Sequence, residues 1–332
     1  MRRRLLLVPL AVAVLAACSP AASDVDGEVF ARGPMAPAAD KSPDAVPVVV
    51  DTDLAPDDLA ALALLLRHPD VRVLAVTVPQ TGELDCRGTD LLGDFFRALE
   101  TAPPPVACGA TPRGEDGVMF PPEWGAGALM NSGLRRDDGA GGGGDGGDLT
   151  PVRTPSAELI ARLARRHPGL QVVALAPLTE VAAVLREHPA AYARLGGVTT
   201  MAGTVDSESH ADGVGEWNAG ADPVPFAEVL AGPVPVTVVP DDPVPVGAPD
   251  GLAGPVVGGL GRVPGFESPK YWDLATAGTF VDGSAATTES GTWAVDTTGD
   301  RGRLRRTGDG PVRVVTRLDA AALDEVYRDV FG

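Results

Sequence analysis

Short apolar runs alternate with longer amphipathic stretches along most of this chain. Val48-Val49-Val50 is a run of β-branched residues directly after Pro47. That is the composition of a strand buried on both faces of a parallel sheet, with proline where a missing N–H is tolerated. A helix is expected over 57–68, with Leu59, Leu62, Leu64 and Leu65 apolar and Pro69 as its stop. The same reading gives strands over 71–78, 105–108, 170–175, 197–201 and 234–238, and helices over 91–99, 155–167, 179–188 and 223–230. Strand and helix in alternation build an α/β domain, an open, mainly parallel, Rossmann-like sheet flanked by helices. No linker-like segment interrupts it after Pro47, so residues 47–332 read as one domain. The glycine-rich stretch 139–148 is either a solvated surface loop or a flap beside the site. His68, His167 and His188 each precede a proline and each closes an expected helix, where a donor side chain suits the carbonyl end.

The first residues follow no such pattern. Arg2, Arg3 and Arg4 are followed by residues 5–17 without a charged or polar side chain, a run too short to span a bilayer as a mature helix. Leu15-Ala16-Ala17-Cys18 resembles the lipobox of bacterial lipoproteins. The resemblance implies a signal over 1–17, cut before Cys18, whose sulfur carries the lipid; the alternative is an ordinary secretory signal with a chance cysteine. Residues 18–46, rich in Ala, Pro, Ser and Asp, then read as a tether. On that reading the chain is exported and anchored to the outer face of the cell membrane, touching the membrane through its lipid alone.

Charge removes one class of partner. With 27 Lys+Arg against 45 Asp+Glu, the formal net charge is −18, and such a chain repels a phosphate backbone. Nucleic-acid binding is therefore excluded as an expectation. The 3 cysteines are too few for a disulfide scaffold or a multi-cysteine metal site. Cys86 and Cys108 both fall at the carboxyl edge of the expected sheet, either as a pair or as two buried free thiols.

The strongest chemical signal is Asp51-Thr52-Asp53-Leu54-Ala55-Pro56-Asp57-Asp58, four carboxylates within eight residues at the end of the first strand. That edge of an open α/β sheet is where ligands bind. Four carboxylates repel one another unless a cation neutralises them, and an oxygen-only cluster suits Ca²⁺ or Mg²⁺. Capping of the following helix would account for Asp57 and Asp58 but not for Asp51 and Asp53.

This cluster resembles the Asp-x-Asp-x-x-x-Asp-Asp motif of the inosine–uridine-preferring nucleoside hydrolase family. Further segments follow in that family's order: Leu175-Ala176-Pro177-Leu178-Thr179-Glu180, then Gly215-Glu216-Trp217-Asn218 with Ala221-Asp222-Pro223, then Lys270-Tyr271-Trp272-Asp273-Leu274-Ala275. The resemblance implies a ribonucleoside hydrolase that releases free base and ribose, with Ca²⁺ as cofactor. It implies that Asp53, Asp58 and Asp273 ligate the ion together with the Leu175 carbonyl. Asp53 would also take a proton from a calcium-bound water, and Asp51 would orient the cluster. Asp57 would bind a ribose hydroxyl, Glu216 and Asn218 the ribose 5′ side, and Met201 would sit beside the sugar. Dimers or tetramers are common in the family.

The departures matter as much. Leu54-Ala55 stands for the usual Pro-Gly, Gln80-Thr81 for Gly-Asn, so that Thr81 occupies a ribose-binding position, and Glu180 for an Asn. His210 falls where the family often has an Asn near the 5′ hydroxyl. Trp272 replaces a His proposed to protonate the departing base; it has no acidic proton but offers a face to stack on the base. The leaving-group acid is then His210, Glu115, Asp116, Glu123 or a water. The aromatic segment 120–124 either covers the base or is loop packing. Two other classes compete with the hydrolase: a non-catalytic nucleoside-binding lipoprotein with an altered site, and a phosphatase-type Asp-x-Asp hydrolase. The last needs a phosphate-binding Lys, and the chain has only Lys41 and Lys270.

Overall fold

The computed structural model describes residues 40–131, 149–207, 214–247, 249 and 270–331. The apolar run after Pro47 is strand β1 (Val46–Asp51). It is followed in chain order by β2 (Val71–Val78), β3 (Val106–Cys108), β4 (Gln171–Ala174), β5 (Gly197–Met201), β6 (Val236–Val239), β7 (Ala286–Val295) and β8 (Leu304–Leu318). Among the described residues they form a sheet of order β3-β2-β1-β4-β5-β6-β8-β7. Every strand pairing is parallel except that of β7 with β8. The expected open, mainly parallel sheet is therefore the observed one. Val48, Val49 and Val50 are fully buried because β2 and β4 flank β1 and helices cover both faces. The chain leaves β1 toward β2 and β3 and returns to β4 on its other side, which puts the topological switch point at the carboxyl ends of β1 and β4.

The helices are α1 (Pro56–Arg67), α2 (Thr89–Ala98), α3 (Pro122–Asn131), α4 (Ser156–Arg166), α5 (Thr179–Glu187), α6 (Pro189–Tyr192), α7 (Trp217–Gly220), α8 (Pro223–Leu230), α9 (Trp272–Val281) and α10 (Ala320–Phe331). Side chains alternate across each strand, so the strands feed two cores. Val48 and Val50 pack with Leu62, Phe95, Leu274 and Tyr327 from α1, α2, α9 and α10. Val49 and Val172 pack with Ile160, Val184 and Phe226 from α4, α5 and α8. His68, His167 and His188 do close α1, α4 and α5, their backbone N–H groups bonded to the carbonyls of Leu64, Leu163 and Val184. The segment read as an aromatic loop differs: α3 begins within it, with Pro122 as its first residue, a position that costs no hydrogen bond. No helix among the described residues is long and apolar enough to cross a membrane. The expected signal, the lipidated Cys18, the glycine-rich stretch 139–148 and His210 lie outside the described residues.

Candidate active site

β1 ends on Asp51, which is fully buried and accepts a 2.6 Å hydrogen bond from the Thr77 hydroxyl of β2. The chain then turns into α1 through Leu54, whose φ is 65°, a left-handed conformation that a branched residue adopts only under strain. The turn is held by Asp58. Instead of capping α1, its Oδ1 reaches back to accept from the Thr52 hydroxyl and, at 3.1 Å, from the Asp53 N–H. Asp53 is gripped from the opposite side: the N–H of Glu83 donates to its Oδ2 at 2.8 Å, and the N–H of Leu84 to its carbonyl at 3.1 Å. Gly82 makes this approach possible, since a Cβ there would lie 2.1 Å from the Asp53 Cβ.

The far end of the chain completes the cluster. Asp273, in the first turn of α9, donates its backbone N–H to Asp57 Oδ2 at 3.2 Å. Carboxylate oxygens of Asp57, Asp58 and Asp273 all lie within 4.8 Å of one another. Burial, reinforced by Asp58, raises Asp273 well above the usual carboxylate range, and burial with repulsion from Asp53 does the same to Asp58. Burial lifts Asp53 to about 7, and burial with the charges of Asp53 and Asp57 lifts Glu83 to about 8. Asp58 Oδ2 and Asp273 Oδ1 are buried with no N–H or hydroxyl donor among the described residues. Orphaned, mutually repelling carboxylate oxygens at one point are what a hard divalent cation would satisfy, so the residues fit such an ion.

Across the switch point, Glu216 caps α7. Its Oε1 accepts from Asn218 N at 2.7 Å, and its Oε2 from Gly203 N at 2.7 Å and Ala219 N at 3.0 Å; burial raises it to about 7. Asn218 turns its amide onto two strand ends, donating to the carbonyls of Leu175 at 3.1 Å and Met201 at 3.3 Å. Glu216, Asn218, Leu175 and Met201 are thus one connected group at the carboxyl ends of β4 and β5.

Residues 48–325 match the family model described as inosine-uridine preferring nucleoside hydrolase. The chain belongs to this family. Among curated relatives it is similar to the pyrimidine-specific ribonucleoside hydrolase RihA of Shewanella oneidensis, 26% identical over 178 residues, 53% of this chain and 51% of that protein. The corresponding RihA of Klebsiella pneumoniae is 29% identical over 180 residues, 54% of this chain and 52% of that one. The chain spans about half the length of the curated relatives it matches. Among solved structures it is similar in fold to an inosine-uridine preferring nucleoside hydrolase from Bacillus anthracis, with a TM-score of 0.71, 21% identity, and coverage of 86% of this chain and 100% of that one. An inosine-guanosine nucleoside hydrolase gives 0.69 and 19%, covering 86% and 98%.

Against the nucleoside hydrolase pattern, the residues fall as follows. The tightest trio is Asp57, Asp58 and Asp273; Asp53 lies close enough to raise Asp58 and Asp273 electrostatically, but its Oδ2 is engaged by Glu83. Thr81 is 1% exposed, and its hydroxyl lies 2.8 Å from that of Thr179. Glu180 is turned away to the Thr111 N–H. Trp272 opens α9, and its indole N–H donates to Asp241. Phe120, Trp124 and Trp217 form an aromatic cluster with ring centroids 4.9–6.4 Å apart. Of the proposed proton donors, Asp116 uses its carbonyl to bind Arg301. Cys86 and Cys108 form a disulfide with Cα atoms 5.5 Å apart. Sequence reasoning passed over Asp241, Asp242 and Arg113. The first two follow the apolar strand β6 as Asp53 follows β1, and that position was the available signal. Arg113, which donates to the Thr81 carbonyl at 3.2 Å, carries no motif.

Proposed function

We propose that this chain hydrolyses the N-glycosidic bond of ribonucleosides, giving free base and ribose. The observation that carries the proposal is the carboxylate trio with its two orphaned oxygens at the switch point, in a chain of this family. Asp58, Asp273 and Asp57, joined by Asp53 and by the Leu175 carbonyl that the family resemblance assigns to the ion, would hold the divalent cation, read as Ca²⁺. Bound there, such an ion supplies an acidified water and a clamp for vicinal ribose hydroxyls. Asp53, its Oδ2 pinned by Glu83, takes the proton from the attacking water at its carboxylate. The surrounding buried carboxylates stabilise the positive charge that grows on the ribose ring. Asp57 orients a ribose hydroxyl, and Glu216 and Asn218 support the 5′ side. The Trp272 face stacks on the base. The relatives named above are described by pyrimidine, inosine-uridine and inosine-guanosine preferences, so the proposal stops at ribonucleosides.

The same reading makes the protein an exported lipoprotein, anchored by Cys18 at the outer face of the cell membrane; the apolar run 5–17 ending in Leu15-Ala16-Ala17-Cys18 supports it. The disulfide is consistent with an oxidising compartment. The test incubates the full chain with inosine, uridine and p-nitrophenyl riboside, with Ca²⁺ or with EGTA. Ribose release that EGTA suppresses is expected, and no release from any of them at any Ca²⁺ level overturns the proposal. Asp53→Ala lowers kcat by about a thousandfold, within the range for loss of a general base, while leaving the circular dichroism spectrum unchanged.

A further inference from the structure

Asp241 and Asp242 stand at the carboxyl end of β6, and the hydrolase reading uses neither. Asp242 is spent on the backbone of the neighbouring loop: its Oδ2 accepts from Val205 N at 2.6 Å, and its Oδ1 from Asp206 N and the Ser207 hydroxyl, each at 2.8 Å. Asp241 reaches further. Its Oδ1 accepts from the Trp272 indole N–H at 2.5 Å and from Lys270 Nζ at 2.9 Å. Its Oδ2 accepts from the Ser207 hydroxyl at 3.2 Å, and its backbone N–H donates to the Gly203 carbonyl at 2.9 Å. One carboxylate thus joins the end of β6, the 203–207 loop and the start of α9.

Trp272 is where these contacts converge on the site. Its backbone adjoins Asp273, which is tied to Asp57. Its ring packs on the core layer of α1 and α9 and is only partly covered. The ring's N–H edge ends at Asp241, close enough to Glu216 for the two charges to repel. The residue is thus tied by its backbone neighbour to the carboxylate trio and by its indole N–H to a carboxylate that acts on Glu216. An indole nitrogen is a donor in one direction only, so a bond to a fixed carboxylate sets the ring plane. Lys270 balances the carboxylate's charge and holds it in place.

We propose that Asp241 is a positioning residue that, through the Trp272 indole N–H, sets the plane of the ring on which the substrate's nucleobase stacks. The proposal rests on the hydrolase reading. A stacking face holds the base in the bound substrate, so its loss raises KM.

Asp241→Ala in the full chain is expected to raise KM for both uridine and inosine about tenfold, the loss of one base–aromatic stack. Asp241→Asn keeps the acceptor and returns KM to within about threefold of the parent. In a Trp272→Ala background Asp241→Ala adds nothing further to KM. The indole ¹⁵N–¹H resonance that disappears in Trp272→Phe reports the bond directly: it moves upfield in Asp241→Ala, and in the parent it shifts on titration with free uracil or hypoxanthine. An unchanged KM in Asp241→Ala, additive effects with Trp272→Ala, or an indole resonance unmoved by free base each overturns the proposal. The titration is read on the parent, with Trp272→Phe serving only to assign the resonance, so it can overturn the proposal even where Asp241→Ala does not fold. If the parent releases no ribose from any nucleoside, the hydrolase reading fails by itself, and the titration still supports or overturns the stacking role.

Discussion

Leu54 shows two opposed energies at one residue. Its left-handed backbone costs about 1–2 kcal/mol, which glycine would relieve. Its side chain is fully buried, and emptying such a site costs about 3–5 kcal/mol. Burial wins: Leu54→Gly is expected to lower stability by about 2 kcal/mol net, read as a shift of the urea midpoint. The carboxylates around it set a pH dependence. Burial raises Asp53 and Glu216 to about 7, so both favour the folded state when protonated. That contribution is complete below the ordinary carboxylate range, near pH 4, and is lost as pH rises through about 7. Cation-free protein should therefore melt lower at pH 8 than at pH 5, and Ca²⁺ should raise the melting temperature more at pH 8. Differential scanning fluorimetry reads both, and equal Ca²⁺ shifts at the two pH values would contradict the assignment of these carboxylates.

At the scale of elements, the segment between β2 and α2 does the most for the site. It carries Gly82, Glu83 and Leu84 against Asp53, and the Cys86–Cys108 disulfide ties its end to β3. The bridge joins residues 22 apart, and closing a loop of that size is worth about 3 kcal/mol. Cys86→Ser with Cys108→Ser should lower the melting temperature and also weaken Ca²⁺ binding by calorimetry, because the grip on Asp53 loosens. The strands β1, β2 and β5 and the helices α1, α5 and α8 were legible in the sequence because their apolar residues and proline stops are local signals. The hairpin of β7 and β8 was not. As an edge strand, β7 carries Thr287, Thr288, Glu289 and Ser290 exposed, which hides its period from a hydrophobic count. The site was half legible. Asp51, Asp53, Asp57 and Asp58 sit in one motif, but the turn of Asp58 onto Thr52, of Thr81 onto Thr179 and of Trp272 onto Asp241 are contacts between distant or reoriented side chains that no spacing encodes.

At the scale of the molecule, the N-terminal boundary is a contact. Lys41 Nζ donates to the carbonyls of Leu66 and His68 at 2.6 and 2.7 Å, one in the last turn of α1 and one just beyond it. A chain starting at Asp40 should keep the parent's melting temperature and its hydrolysis while losing partition onto lipid vesicles. One starting at Asp44 should melt about 2 °C lower, a shift of the size expected for about 1 kcal/mol. The bond between Asp57 and the N–H of Asp273 joins residues 216 apart in the chain. Synthesis delivers the first carboxylates long before the last, and a growing chain has a cradle with one wall missing. Cation capture is therefore a late event in the life of the molecule, and occupancy of the trio certifies that both ends of the fold have met. Refolding monitored by a lanthanide's luminescence would record that meeting as the final step, well after the sheet has formed.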